Sequence, residues 1–135
     1  MSSDDHPSDA MRIERARGEI TLDYYLIGLS VLFMLLGFHQ WAIILGIING
    51  PTGSFEDMTT PWKIATMYLS VVDLVASVGL WMRVAWGRVV WLLAALSEIV
   101  LHTVFVGTFG NNLLILTLHV LTIIAFVALW LIRRR

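Results

Sequence analysis

Four apolar stretches, each close to the ~20 residues that a helix needs to cross a ~30 Å hydrocarbon core, decide what this chain can fold into. They run over residues 24–47, 62–82, 87–109 and 113–132. In lipid every backbone N–H and C=O must be satisfied inside the segment, so stretches of this kind read as helices and the fold class as all-α. The composition agrees, with 58% hydrophobic and only 14% charged residues in 135. A soluble domain of this length carries far more charge. The sequence therefore predicts an integral membrane four-helix bundle with spans that run up and down in turn.

The connections follow from turn chemistry. Asn49-Gly50-Pro51-Thr52-Gly53-Ser54, followed by Glu56 and Asp57, makes the one loop of any length. Thr60 before Pro61 reads as a capping hydroxyl with proline in the first turn, where its missing N–H is harmless. Arg83 to Arg88, with Gly87, makes a tight hairpin between spans two and three, and Gly110-Asn111-Asn112 closes the third span. Ahead of the spans, residues 1–10 hold Ser2, Ser3, Asp4, Asp5, Ser8 and Asp9, a disordered acidic tail by composition. Residues 11–23 alternate Arg12, Glu14, Arg15, Arg17 and Glu19 with Ile13, Ala16 and Ile20, a pattern that fits a juxtamembrane surface helix or a solvated charged linker. The polar, acidic start is unlike a cleaved signal peptide, and the first apolar run is too long for a signal core.

Counting basic residues by side sets the expected orientation. Arg12, Arg15, Arg17, Arg83, Arg88, Arg133, Arg134 and Arg135 fall on one face and Lys63 alone on the other, which puts both termini in the cytoplasm. Tyr24, Tyr25, Trp81, Trp86 and Trp130 near one interface, with Trp62 near the other, fit aromatic belts. Small residues at Gly28, Gly37, Gly46, Ser70, Ser77, Gly79, Ala94, Ala95 and Gly107 would let helices approach closely.

Five ionisable side chains interrupt the apolar spans: His39, Asp73, Glu98, His102 and His119. A charge at mid-bilayer costs at least ~2.5 kcal/mol, so such groups face the bundle interior, find partners and mark functional paths. Counted from the outer ends at ~1.5 Å per residue, His39 lies ~12 Å deep, His102 ~10 Å, His119 ~9 Å, and Asp73 and Glu98 both ~16 Å. Helical spacing gathers them into stripes. Thr66, Ser70, Asp73 and Ser77 share one face of the second span; Glu98 and His102 share a face with Ala94, Ala95 and Phe105; Asn112, His119 and Thr122 line up on the fourth. Lipid would not tolerate these stripes, so they should converge between helices.

Three kinds of convergence are open. Glu98, His102 and His119, with Asp73 or His39, have the imidazole and carboxylate chemistry suited to zinc, iron or manganese, although the spacing of Glu98 to His102 is four rather than the three of di-iron bundles. Paired histidines suit haem. A buried carboxylate beside an imidazole also suits a proton or quinone site, with Glu98 and His102 as acid and base. Alternatively, the polar groups simply bond helix to helix. Cysteine is absent, which excludes disulfide and thiolate chemistry.

The stretch Gly79-Leu80-Trp81-Met82, Ala85-Trp86-Gly87, Val90-Trp91 and Glu98-Ile99 resembles the DUF6163 family of small four-span proteins from alphaproteobacterial inner membranes. The resemblance covers the last three spans best. It implies a multi-pass protein of the bacterial inner membrane, singles out Glu98 and His119, and supplies no activity.

With no phosphate loop, nucleophile elbow or metalloprotease motif and only short loops, the sequence favours a non-catalytic accessory or regulatory partner of a larger membrane system. The rival is a small redox, metal-, haem- or quinone-binding or proton-handling protein. A small multidrug-type transporter is a third reading, but such transporters resemble a pattern with a glutamate in the first span, and here that span has none. The expected partners are the lipid bilayer and a membrane protein or a second copy of the chain, with no nucleic acid.

Overall fold

A computed structural model describes residues 8–134, so most of the acidic tail and Arg135 lie outside the described residues. Among the described residues five α-helices follow in chain order: α1 (Asp9–Ile44), α2 (Thr60–Trp81), α3 (Ala85–Thr103), α4 (Val106–Phe109) and α5 (Leu113–Arg134). A single 3₁₀ turn, Phe55–Asp57, sits between α1 and α2. Among the described residues there is no β-strand beyond an isolated bridge between Gly50 and Gly53. Helices α1, α2, α3 and α5 are long and apolar enough to cross a membrane.

Several boundaries differ from the sequence reading, among them the end of the first helix, at Ile44 rather than 47. The charged segment 11–23 is helical rather than a linker, and it joins the first span without a break, because α1 runs for 36 residues. At ~1.5 Å per residue that is ~54 Å, well beyond a ~30 Å hydrocarbon core, so about two fifths of the helix extends past a span. Nothing between Asp9 and Tyr24 breaks a helix except the single Gly18, and Thr21 bonds back to the Arg17 carbonyl within the helix at 2.8 Å. The third span, expected to reach residue 109, stops at Thr103. There the Val100 carbonyl accepts from both Val104 and Phe105, and Phe105 leaves the helical region at φ −100°, ψ 34°. The β-branched run Thr103, Val104 and Val106 resists helical rotamers, which weakens the turn where the helix breaks. Only the four residues of α4 resume it.

The start of α2 also shifts by one. Thr59 is the N-cap and Thr60 the first helical residue, with no side-chain cap bond, so Pro61 and its missing N–H rather than a hydroxyl mark this end.

Two ends of the helix cluster differ in how they pack. At the hairpin end, α2 turns into α3 through three residues, with Arg83 in the left-handed region at φ 56°. Gly79 and Gly87 touch backbone to backbone: a Cβ on Gly87 would lie 2.2 Å from the Gly79 carbonyl carbon. Next to them Phe33, Ala76, Leu80, Trp91, Ala94 and Ala95 are completely buried. Leu22, Leu26 and Leu29 of α1 complete this core, and Phe126 of α5 meets the Trp91 ring edge-on at 5.2 Å. Ser30 and Ser77 fasten α1 to α2 reciprocally, each hydroxyl donating to the other's backbone carbonyl at 2.8 and 2.9 Å. Such hydroxyl-to-carbonyl links hold helices together where water supplies no drive.

The loop end, formed by residues 45–59 and 104–112, is open by contrast. Gly46 and Gly110 adopt left-handed conformations at φ 73° and 70°, and a cavity lies between the helices below them. Of the glycines expected to mediate close approach, Gly37 and Gly79 do, joined by Gly87, which the sequence reading placed only in the hairpin turn, whereas Gly28, Gly46 and Gly107 have nothing within 4 Å of a would-be Cβ.

Candidate functional site

The polar stripe of α2 is buried throughout: Thr66, Ser70, Asp73 and Ser77 are all inside. On α3, Ala94, Ala95, Glu98 and His102 share the buried face, while Phe105, expected with them, is half exposed because the helix has already broken. On α5 the buried residue is His119, the one fully inward side chain of that helix. Asn112 is exposed and Thr122 half-buried, the latter donating to the His119 carbonyl at 2.8 Å.

Glu98 and His119 meet across the α3–α5 interface, with Glu98 Oε2 3.1 Å from His119 Nε2. Both are almost fully sealed, at 4% and 0% exposure. Their contact is one of proximity, since neither ring nitrogen of His119 has an aligned hydrogen bond. The Phe33 ring packs beside His119 at 5.8 Å, adding an apolar wall that strengthens any charge interaction there. A carboxyl and an imidazole at this distance can share one proton, held as carboxylate with imidazolium or as acid with neutral imidazole.

Asp73 is completely buried, and neither carboxyl oxygen has a hydrogen-bond partner in the protein. It lies within electrostatic reach of Glu98. Buried polar groups in native proteins are almost always satisfied, and an exception marks strain, a functional role or an exchanging partner. His102 has turned its Nδ1 to the Gly110 carbonyl at 3.2 Å. A carbonyl only accepts, so Nδ1 carries a proton, and in the neutral form of the ring Nε2 is an acceptor.

Glu98, His102 and His39 line one cavity of about 620 Å³, at the loop end. Leu32, Leu36, Leu69, Leu101 and Ile115 give it apolar walls; Gln40, Thr66, Asn111 and Asn112 add polar groups. At its side Trp62 and Phe109 pack edge to face, ring centroids 4.9 Å apart. Trp62, read from sequence as a belt residue, is thus also part of the cavity wall. Its size and its mix of apolar walls with a few convergent polar groups match ordinary small-molecule sites.

The five sequence candidates therefore divide. Glu98 joins His119 at the inner side and His102 and His39 on the cavity surface; Asp73 stays buried on α2 and does not line it. Glu98, His102 and His119 are not gathered as a metal set, and among the described residues no three His, Asp or Glu side chains are placed to hold a metal ion. Sequence reasoning missed Ser30, whose seven-residue spacing to Gly37 puts the two buried residues on one helical face. It also took Tyr25 for a lipid anchor, whereas its hydroxyl donates to the Thr122 carbonyl and ties α1 to α5. The presence of a phenol facing a helix that arrives almost a hundred residues later leaves no local trace.

The model of a family described as a family of unknown function (DUF6163) matches residues 20–135. The chain belongs to the DUF6163 family. The matched region begins within the charged half of α1 and takes in every residue of the DUF6163 site described above. No curated protein and no solved structure matches the chain.

Proposed function

We propose that this DUF6163 protein is a multi-pass protein of the bacterial cytoplasmic membrane that binds a small molecule in the cavity at its loop end, with the Glu98–His119 pair as the proton-bearing group of that site. Helices α1, α2, α3 and α5 cross the bilayer antiparallel to one another, with both termini and the α2–α3 hairpin in the cytoplasm and the cavity opening outward. The pairings Asp23 with Arg83 and Glu19 with Arg133 support this arrangement, since they bring the two basic ends together, and the arginine count supports the orientation.

The observation that carries the reading is a sealed carboxylate–imidazole contact whose Glu98 also lines a cavity of about 620 Å³. Polar groups kept only to bind helix to helix would be expected to end up paired, as Ser30 and Ser77 are. Here Asp73 and the His119 ring are not. A ligand or proton that comes and goes accounts for that combination.

The test is purification in mild detergent, followed by solvent extraction, mass spectrometry, elemental analysis and a visible spectrum. Wild-type protein should retain a small molecule that Glu98→Gln protein lacks. Identical extracts from a folded wild type and a folded Glu98→Gln variant would overturn the reading.

A second reading, the accessory partner, draws on α5. Of its 22 residues only His119 is fully buried, and the most apolar helix presents more than half of its residues outward. Lipid covers such a face, and so does another protein's span. Cross-linking from Ile124 or Leu131, both exposed on α5, tests it: recovery of this chain without a protein adduct removes the partner reading.

A further inference from the structure

We propose that the cavity selects a primary-ammonium amphiphile, with the cationic head at Glu98 and His102 and the apolar tail in the groove between α2 and α3. The inference rests on the ligand-binding reading above and adds the chemical class of the ligand.

Charge comes first. The cavity lining contains the Glu98 carboxylate and neither lysine nor arginine. Behind it lies the second carboxylate, Asp73, fully buried and without a hydrogen-bond partner. One imidazole, His119, touches Glu98. No lysine or arginine of the lining offsets an ionised Glu98, and an incoming ammonium supplies that charge. An anionic head would meet a carboxylate with no permanent cation to offset it. His102 points the same way: with Nδ1 committed to the Gly110 carbonyl, its free nitrogen is an acceptor, matched to an N–H donor. The Trp62 ring in the cavity wall adds a face that attracts cations.

The tail follows from a second groove. It has a volume of about 590 Å³ and is lined by Ile64, Val100, Ala65, Leu101 and Phe109, with the bonded hydroxyls of Tyr68 and Ser97 at its far side. Ala65, Leu101 and Phe109 also line the cavity, so they form the thin partition between the two spaces. Ala65 has the smallest side chain of the three. A head held in the cavity can therefore pass its tail across this partition into a groove that opens on the acyl chains, where an alkyl chain loses nothing to water.

The test compares octylamine, octanol and octanoate binding by calorimetry to the full chain in nanodiscs of phosphatidylcholine, with empty discs subtracted. The expected order is amine tightest, by about ten-fold or more over the alcohol, and octanoate weakest. Glu98→Gln should bring the amine down to the level of the alcohol and leave the alcohol unchanged. Ala65→Phe should weaken octylamine and spare ethylamine. The head-group series needs no variant, so it stands even where a substitution fails to fold. Equal affinity for amine and alcohol overturns the ammonium assignment and leaves the cavity a binding site; no binding of any of the three overturns both. Phosphatidylethanolamine in the disc separates the two sources of this chemistry: competition with octylamine assigns the site to a lipid headgroup, and undiminished octylamine binding assigns it to a free amine.

Discussion

The two ends of this helix cluster are built from the same kinds of residue and used differently. At the hairpin end, glycine lies on glycine and a fully buried tryptophan, phenylalanine and leucine fill the space between α1, α2 and α3. At the loop end the same helices part around a cavity, and beneath it Asp73 and the His119 ring are buried without a hydrogen-bond partner. Close packing is where a membrane protein without a hydrophobic drive between helices finds its stability. The difference teaches that stability and the candidate site have been given to opposite ends, so substitutions at the two ends should separate in what they disturb.

The sharpest break of that comparison is Gly87→Ala. The new methyl would meet Gly79 backbone at 2.2–2.6 Å, and backbone cannot swing aside as a side chain can. The hairpin must open, and the expected result is loss of folded, monodisperse protein after detergent extraction, with at least ~3 kcal/mol removed. Gly107→Ala, with nothing within 4 Å, is the control at the loop end, and a gain of up to ~1 kcal/mol fits its better helix propensity. Equal melting temperatures for the two variants would show that the hairpin contact is not what holds the bundle.

Trp91→Ala comes next, at ~3–5 kcal/mol, because it empties the centre of the packed end. Trp91→Phe should cost much less, since the indole N–H is buried without an acceptor and its removal leaves nothing unpaired. Thermal melts in detergent of the two variants, side by side, measure how much of the ring's contribution is volume.

Between the two ends, at Asp73, the sign reverses. Asp73→Leu replaces a sealed carboxyl that has no hydrogen-bond partner with a group that lipid-like surroundings favour, so the melting temperature should rise by the equivalent of ~1–3 kcal/mol. Ligand retention should fall with it. Stability bought by deleting a group that function keeps is the usual signature of a working site. A melting temperature that drops instead would mark Asp73 as a structural bond between helices, and the contrast between the two ends would dissolve.

How much of this was legible in the residues follows from what each feature depends on. The four apolar helices and the inward faces of Thr66, Ser70, Asp73, Ser77, Glu98 and His102 are consequences of local composition and of a 3.6-residue period, and both can be read along one segment. The contact of Glu98 with His119 was narrowed to a shared depth but not to a pair, because helical spacing orders residues within a helix and says nothing of which helix it faces. The break after Thr103 escaped because Phe105 and Val106 are as apolar as the span before them, and hydropathy does not register a lost backbone bond. The cavity escaped for a related reason: its wall includes Trp62, Phe109 and Asn111, which come together only once α3 has stopped short.

The smallest expected effects lie on the exposed rim of the packed end and test whether its stability is a matter of packing alone. Arg83 holds Asp23 at 3.2 Å, but both side chains are about half exposed, at 51% and 47%. Such a pair contributes ~0–1 kcal/mol and fades with salt. Arg83 also sits at φ 56°, a conformation that glycine adopts freely. Arg83→Gly therefore loses a weak ion pair and relieves backbone strain of ~1 kcal/mol or so, and the two nearly cancel. Asp23→Asn loses the pair and relieves nothing. Melting curves at low and high salt should place Arg83→Gly level with the wild type and Asp23→Asn slightly below it, with the gap closing as salt rises. A large, salt-independent loss in Asp23→Asn would mean that this rim, and not the glycine contact beneath it, fixes the hairpin.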